Sequence, residues 1–324
     1  MLRPRFHPWI IRLLLAALLA FGSELLLWND PSARDALGWA RSALGYGLTA
    51  ALLLDLAARY RVRDIFGALL LAGVYATLNA LAINPQTTLY ELPRTLATRV
   101  LGPHALVGLG MMMLLLWLAG RGRSSWLALV ALPVGIAAGA WAHWSPVVLS
   151  AAGETPLAQI YIAAGVAAVI IALLAWVLAR SQAESAAPEL RLHPLEWIVV
   201  AGGLSALVAA SYTDGTISSL ALAVTGGLLA LCWAALWATA RMKGAAYVDL
   251  LAVFEVRWRW LGIGLLILAG ATALGWSLPR GAGIADPVAV IGGVMTAFGI
   301  VWLPTVALVL GARALQRQTR ALRL

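Results

Sequence analysis

The sequence predicts an all-α polytopic integral membrane protein with about ten transmembrane helices and both termini in the cytoplasm. Three observations carry that prediction. Of 324 residues, 62% are hydrophobic and only 11% are charged, whereas soluble domains carry about a quarter charged residues. Apolar runs of about 20 residues recur along the chain, the length a helix needs to cross a hydrocarbon layer of roughly 30 Å. Lys and Arg gather in alternate connections between those runs. Short alternating strands of a barrel type are absent, so the spanning unit is helical.

Taken in order, the first run is MLRPRFHPWIIRLLLAALLAFGSELLLW. It has a basic start and an apolar core, and no small-residue cleavage signal closes it, so a retained helix is expected over 9–28. Further helices are expected over 37–57, 65–83, 101–119, 126–144, 157–179, 195–211, 217–240, 260–278 and 288–311. The seventh is the shortest. Pro133 and Pro304 are candidate kinks in the fifth and tenth. Two stretches between spans look structured. TTLYELPRTLATRV suggests a short helix on the outer surface. AAYVDLLAVFEVRWRW suggests a helix along the inner interface, which Asp249, Glu255, Arg257 and Arg259 would suit.

Orientation follows from the loops. With the N-terminus inside, 17 Lys and Arg fall on the cytoplasmic side and 4 on the outer side, leaving out Arg12 and Arg41 within helices. One span more or fewer would scramble that bias, so an even count is favoured. Trp9, Trp28, Trp39, Trp126, Trp144, Trp197, Trp258, Trp260 and Trp276 fall near the expected interfaces, where an indole places its ring in apolar surroundings and its N–H in polar ones. The net charge of +9 is explained by these short basic loops, so no nucleic-acid partner is expected. The location predicted is the plasma membrane, with lipids as the immediate partners.

The first hairpin carries four intramembrane charges. Arg12 and Glu24 lie 12 residues apart in helix one, and Arg41 and Asp55 lie 14 apart in helix two. At 1.5 Å per residue these separations are roughly 18 and 21 Å. Antiparallel packing would therefore bring Glu24 toward Arg41 and Arg12 toward Asp55. Such pairs offset part of the cost of desolvating ions. Two readings stand side by side. The pairs fix helix register, with Asp55 also able to pair with Arg59 one turn later. Alternatively, Glu24 and Arg41 line an external cavity that binds a polar or anionic head or exchanges a proton.

More polar residues emerge on the same outer side. Asn79 and Asn84 end helix three, Glu91 and Arg94 follow in the loop, and His104 and His143 lie in helices four and five. Two histidines near carboxylates suit a metal or a proton relay. No HExxH-like spacing fixes them on one element, so neither a metal nor a cofactor is predicted. The lone Cys232 allows no intramolecular disulfide and reads as helix packing.

The chain thus divides into a half over 1–156, with five helices and the intramembrane charges, and a half over 157–324, with five apolar helices and a basic tail. The second half substitutes small residues for charges: Gly202–Gly203, Gly226–Gly227, Gly262, Gly264, Gly270 and Gly292–Gly293. These permit close helix contact or an oligomeric surface through helices six to ten. Five helices per half also permit inverted repeats, although the halves share no evident sequence similarity.

No Walker loop, dinucleotide fingerprint, CxxCH or GxSxG elbow occurs in a fitting context. Three functions are compatible with this pattern. The first is a secondary transporter or permease of a small organic or lipid-like solute, with its polar site toward the outer side of helices one to five. The second is a noncatalytic subunit or assembly factor of a membrane complex. The third is an intramembrane enzyme acting on a lipid-linked substrate, with catalytic residues unassigned among Glu24, Glu91, His104, His143, Arg41 and Arg94.

Overall fold

The computed structural model describes residues 7–28, 34–143, 155–181, 190–240, 246–252, 254–279, 281 and 285–321, with side chains to 315. The expected positions of Trp144 and of the extreme termini lie outside the described residues. The described chain is helical: α1 (His7–Trp28), α2 (Ala36–Arg59), α3 (Ile65–Ile83), α4 (Pro85–Thr88), α5 (Leu96–Leu118), α6 (Trp126–Trp141), α7 (Leu157–Ser181), α8 (Pro194–Thr213), α9 (Ser219–Thr239), α10 (Trp258–Trp276) and α11 (Pro287–Ala321). Among the described residues, eight helices are long and apolar enough to cross a membrane. The protein is therefore a multi-pass, all-α membrane protein. Two further helices occupy expected spans: α2, which carries Arg41, Asp55 and Arg59, and α6, which has 16 residues.

Several helix starts are written locally. Asp35 accepts from Gly38 N at 2.7 Å, Asp64 from Gly67 N at 2.8 Å, and Ser218 from Ala221 N at 3.1 Å. Each satisfies a backbone donor that the first helical turn leaves open.

Packing is built around α3, which is 89% buried over its most apolar stretch, against 17% for α7, α8 and α11. Helices α1, α2, α3 and α5 form the inner group. Around them, α7 lies on α1, α8 on α2, α9 on α3, and α11 on α5. The outer helices expose large apolar side chains such as Ile162, Ile198, Leu266 and Leu308, as a lipid-facing surface does. This layering explains why the ionisable residues sit in the first half. Its helices are the interior ones, and charges within a membrane face the interior.

Helix α6 runs along α10 at backbone contact. A Cβ on Gly139 would lie 2.0 Å from Thr272 O, and one on Gly275 would lie 2.1 Å from Ile136 O. Small residues are what permits this approach in lipid. The same device joins α5 to α11, where a Cβ on Gly299 would lie 2.1 Å from Ala97 O. Of the glycines expected to serve this role, Gly203 meets Leu48 and Gly264 meets Leu127, whereas Gly202, Gly226, Gly227, Gly262, Gly270 and Gly293 border open space.

The connections sort into two ends. At one end Arg61 pairs with Asp249 at 3.4 Å, and Arg313 pairs with Asp64 at 2.6 Å. There too, Arg121 Nε donates to Leu250 O at 3.1 Å, and Arg257 Nη1 donates to Gly122 O at 2.7 Å. At the other end Trp141 Nε1 donates to Leu27 O at 2.5 Å and Trp276 Nε1 to Thr155 O at 3.2 Å. The stretch expected as an inner interfacial helix is different. It forms a single 3-10 turn, Tyr247–Leu251, and residues 254–257 have no regular structure. Its polar groups bond to neighbouring connections, as in Tyr247 N to Val62 O at 2.7 Å, which leaves a strap rather than a free amphipathic helix. The expected outer helix over TTLYELPRTLATRV also differs: α4 is one turn, and Leu96 already belongs to α5.

Candidate functional site

Three inner helices change register at the same end of the bundle. α1 finishes in a π-helical stretch over Phe21–Trp28, α3 finishes in one over Asn79–Ile83, and α5 begins with one over Leu96–His104. Asn84 N to Asn79 O, at 2.7 Å, closes the wide turn of α3. A π-turn inserts one residue into the helix and re-aims the side chains beyond it, and such turns recur at functional sites. In α5, Pro103 brings no N–H, so Arg99 O loses its α-helical donor. His104 Nδ1 lies 2.7 Å from that carbonyl and must donate to it.

Asn84, just beyond the π-turn of α3, converges with Tyr46 of α2 and Arg34 on Glu24, which is 4% exposed. Tyr46 Oη donates to Glu24 Oε1 at 2.5 Å, and Asn84 Nδ2 donates to the same oxygen at 3.0 Å. Arg34 Nη2 lies 3.0 Å from Glu24 Oε2. The same guanidinium hydrogen-bonds to Ser42 and to Asn84 Oδ1. Deeper in, Asn79 Nδ2 donates to Tyr46 Oη at 3.1 Å, and its Oδ1 accepts from Asn84 Nδ2 at 3.1 Å. Ser23 and Tyr75 complete the cluster. A carboxylate in a low-dielectric interior demands this number of donors and a counter-charge. Arg34 supplies the charge from the segment just before α2, and its side chain is 22% exposed while Glu24 is sealed beneath it. Among the described residues, the arrangement is a polar interior with the partly exposed Arg34 over Glu24 on one side.

The expected pairing of Glu24 with Arg41 is thus replaced. Arg41 turns to α8, where Nη2 donates to Ser211 Oγ at 2.9 Å and lies 3.5 Å from Leu207 O. Arg12 and Asp55 likewise take other partners. Arg12 pairs with Glu196 Oε1 at 3.5 Å, donates to Leu190 O at 3.4 Å and covers the Trp9 ring at 4.4 Å. Asp55 pairs with Arg59 through two 3.0 Å bonds, the one-turn alternative, and accepts from Leu192 N at 2.8 Å and Trp197 Nε1 at 3.1 Å. Both residues belong to one cluster at the opposite end. It ties the start of α8 to α1 and α2.

The remaining candidates do not join Glu24. Glu91 and Arg94 form an exposed pair at 3.0 Å. His104 is fully buried beside the Trp28 ring, with 5.5 Å between centroids, and its Nε2 has no hydrogen-bond partner among the described residues. His143 Nε2 bonds Trp276 O at 2.8 Å. Among the described residues no three His, Cys, Asp or Glu side chains gather as metal ligands. Asn79 and Asn84 do join the site. Ser23, Arg34, Ser42, Tyr46 and Tyr75 are the members that sequence reasoning missed. Arg34 alone carried a signal, as a lone basic residue in an outer connection poor in Lys and Arg.

A cavity of about 250 Å³ opens beside the α5–α11 contact. A second, of about 620 Å³, is an apolar groove over α9 lined by Leu229, Trp233 and Trp237. No protein-family model, curated protein or solved structure matches this chain.

Proposed function

We propose that the chain is a plasma-membrane secondary transporter or permease of a small organic or lipid-like solute. In this reading it crosses the bilayer ten times with both termini in the cytoplasm. The single observation that supports it most is the sealed Glu24 cluster, an interior carboxylate with phenol and amide neighbours, covered by one arginine that is itself partly exposed. Buried ionisable groups in a membrane interior mark solute or proton pathways. The basic connections gather at the end opposite Glu24, which supports placing that cluster toward the outside.

Withdrawal of Arg34 would open the cluster to the outer side and leave Glu24 free to take a proton or a solute donor group. The division at 156/157 then has a functional sense. Helices of 1–156 carry the site, and those of 157–324 embrace it, α7 on α1, α8 on α2 and α9 on α3. Opposed halves of that kind underlie alternating access in many carriers. The glycines left bordering open space on α8 to α11 suit a homo- or hetero-oligomeric contact.

The test is flux. Purified protein in proteoliposomes containing a pH-reporting dye is challenged with panels of amine, carboxylate and neutral polar solutes. At least one class should drive proton movement with wild type, and Glu24→Gln should abolish it. Fluxes equal to those of empty vesicles across all classes, or undiminished in Glu24→Gln, overturn the reading.

A further inference from the structure

The 250 Å³ cavity lies away from Glu24, between the connection entering α5 and the first turns of α11. Its wall has two characters. Arg94, Thr98, Arg99 and Thr296 supply polar groups, while Pro103 and Val288 supply apolar surface. The charged side chains lining it are both arginines. Glu91 holds Arg94 by Nη1 at 3.0 and 3.3 Å, and both partners of that pair are more than a third exposed, so an anion entering the cavity displaces little buried structure. Trp141, the last residue of α6, also borders the cavity. A Cβ on Gly292 of α11 would meet only the Trp141 ring, at 3.7 Å, so this position of the wall has room for a larger side chain.

We infer that this cavity binds a phosphate group, with Arg94 and Arg99 as its ligands and the phospholipid headgroup as the source that best matches the apolar wall. Arginine presents a planar fork of donors that fits phosphate oxygens two at a time. The Thr296 hydroxyl can add a further donor, whereas Thr98 Oγ1 already donates to Arg94 O at 3.1 Å. The cavity lies where α6 ends and α5 and α11 begin, so a headgroup bound there would lead its acyl chains along the exposed face of α11. The site is independent of the transport reading and survives its failure.

Native mass spectrometry of the intact chain, released from detergent with added dioleoyl phosphatidylglycerol, measures retained lipid. Wild type should hold one phosphatidylglycerol that dioleoylglycerol, lacking phosphate, does not replace. The Arg94→Gln/Arg99→Gln double variant should bind it at least about tenfold more weakly, as expected for losing charge-assisted hydrogen bonds. Gly292→Leu, which fills the cavity and keeps both charges, should show the same loss with an unchanged melting temperature. Displacement of the lipid by millimolar inorganic phosphate assigns the site to the free anion, and persistence assigns it to the headgroup. Equal retention by wild type and by both folded variants, or equal binding of dioleoylglycerol, overturns the inference.

Discussion

Arg34 reaches from the segment before α2 to pair with Glu24 of α1 at 3.0 Å, and in doing so it caps a cluster of buried tyrosine and asparagine side chains. The carboxylate it covers is 4% exposed. Removing either member leaves the other in a poor medium for an isolated charge, and such breakage costs about 3–5 kcal/mol when burial is complete. Arg34 is partly exposed, so its own removal should cost less than that.

Thermal unfolding in detergent should therefore show coupling between Glu24→Gln and Arg34→Gln of about 1–3 kcal/mol, the double variant being less destabilised than the sum of the singles. The cycle of Glu24→Gln with Arg41→Gln should be additive within about 0.5 kcal/mol, because Arg41 bonds to Ser211 on α8. The reverse pattern would restore the pairing that simple antiparallel depth matching suggests.

How far the fold could be read in advance is clearest in such details. Helices expected at 65–83 and 126–144 appear as Ile65–Ile83 and Trp126–Trp141, because charged connections at Asp64 and at Arg121 and Arg123 leave each helix little room to begin elsewhere. That Arg12 and Asp55 fall at one end of the bundle and Glu24 and Arg41 at the other was equally legible from their spacing along the helices. Their partners were not. Azimuth around a helix depends on the packing of neighbours, and a π-turn adds a residue that shifts it again. Arg34 reached Glu24 from a loop, where no periodicity applies. The strap over 246–252 and 254–257 looked amphipathic in sequence, but tertiary hydrogen bonds from Arg121 and Arg257 to nearby carbonyls took precedence over local pattern.

Asp55 is a hub at the other end. Asp55→Ala should destabilise by about 3–5 kcal/mol, since it strands Leu192 N and Trp197 Nε1 as well as Arg59. Arg59→Ala should cost about 1 kcal/mol or less, its side chain being 40% exposed. Denaturation in mixed micelles ranks the two. Equal costs would show that the ion pair, rather than the anchoring of α8, is what Asp55 supplies.

The α6–α10 seam makes a sharp contrast between two glycines of one helix. Gly275→Ala places a methyl 2.1 Å from Ile136 O and should force the helices apart, lowering the yield of monodisperse protein several-fold. Gly270→Ala meets nothing within 4 Å and should change stability by no more than about 0.5 kcal/mol. Size-exclusion profiles of the two variants decide it.

Fusion reporters address orientation. A fluorescent protein that matures only in the cytoplasm should be bright when joined to either terminus. Alkaline phosphatase should be active when inserted at the 214–218 connection between α8 and α9. Active phosphatase at the C-terminus would reverse the assignment of sides.

The central claim, that Glu24 lies in an interior site closed from outside by Arg34, is tested most directly by thiol accessibility. Ser23→Cys in a Cys232→Ala background is exposed in intact cells to a membrane-impermeant maleimide. Labelling should be slow with Arg34 present and at least about tenfold faster with Arg34→Gln, as expected when a charge-assisted closure is lost, and lipid-permeant pre-blocking should abolish it. Labelling that proceeds only from the cytoplasmic side, or at the same rate with and without Arg34, would contradict the account.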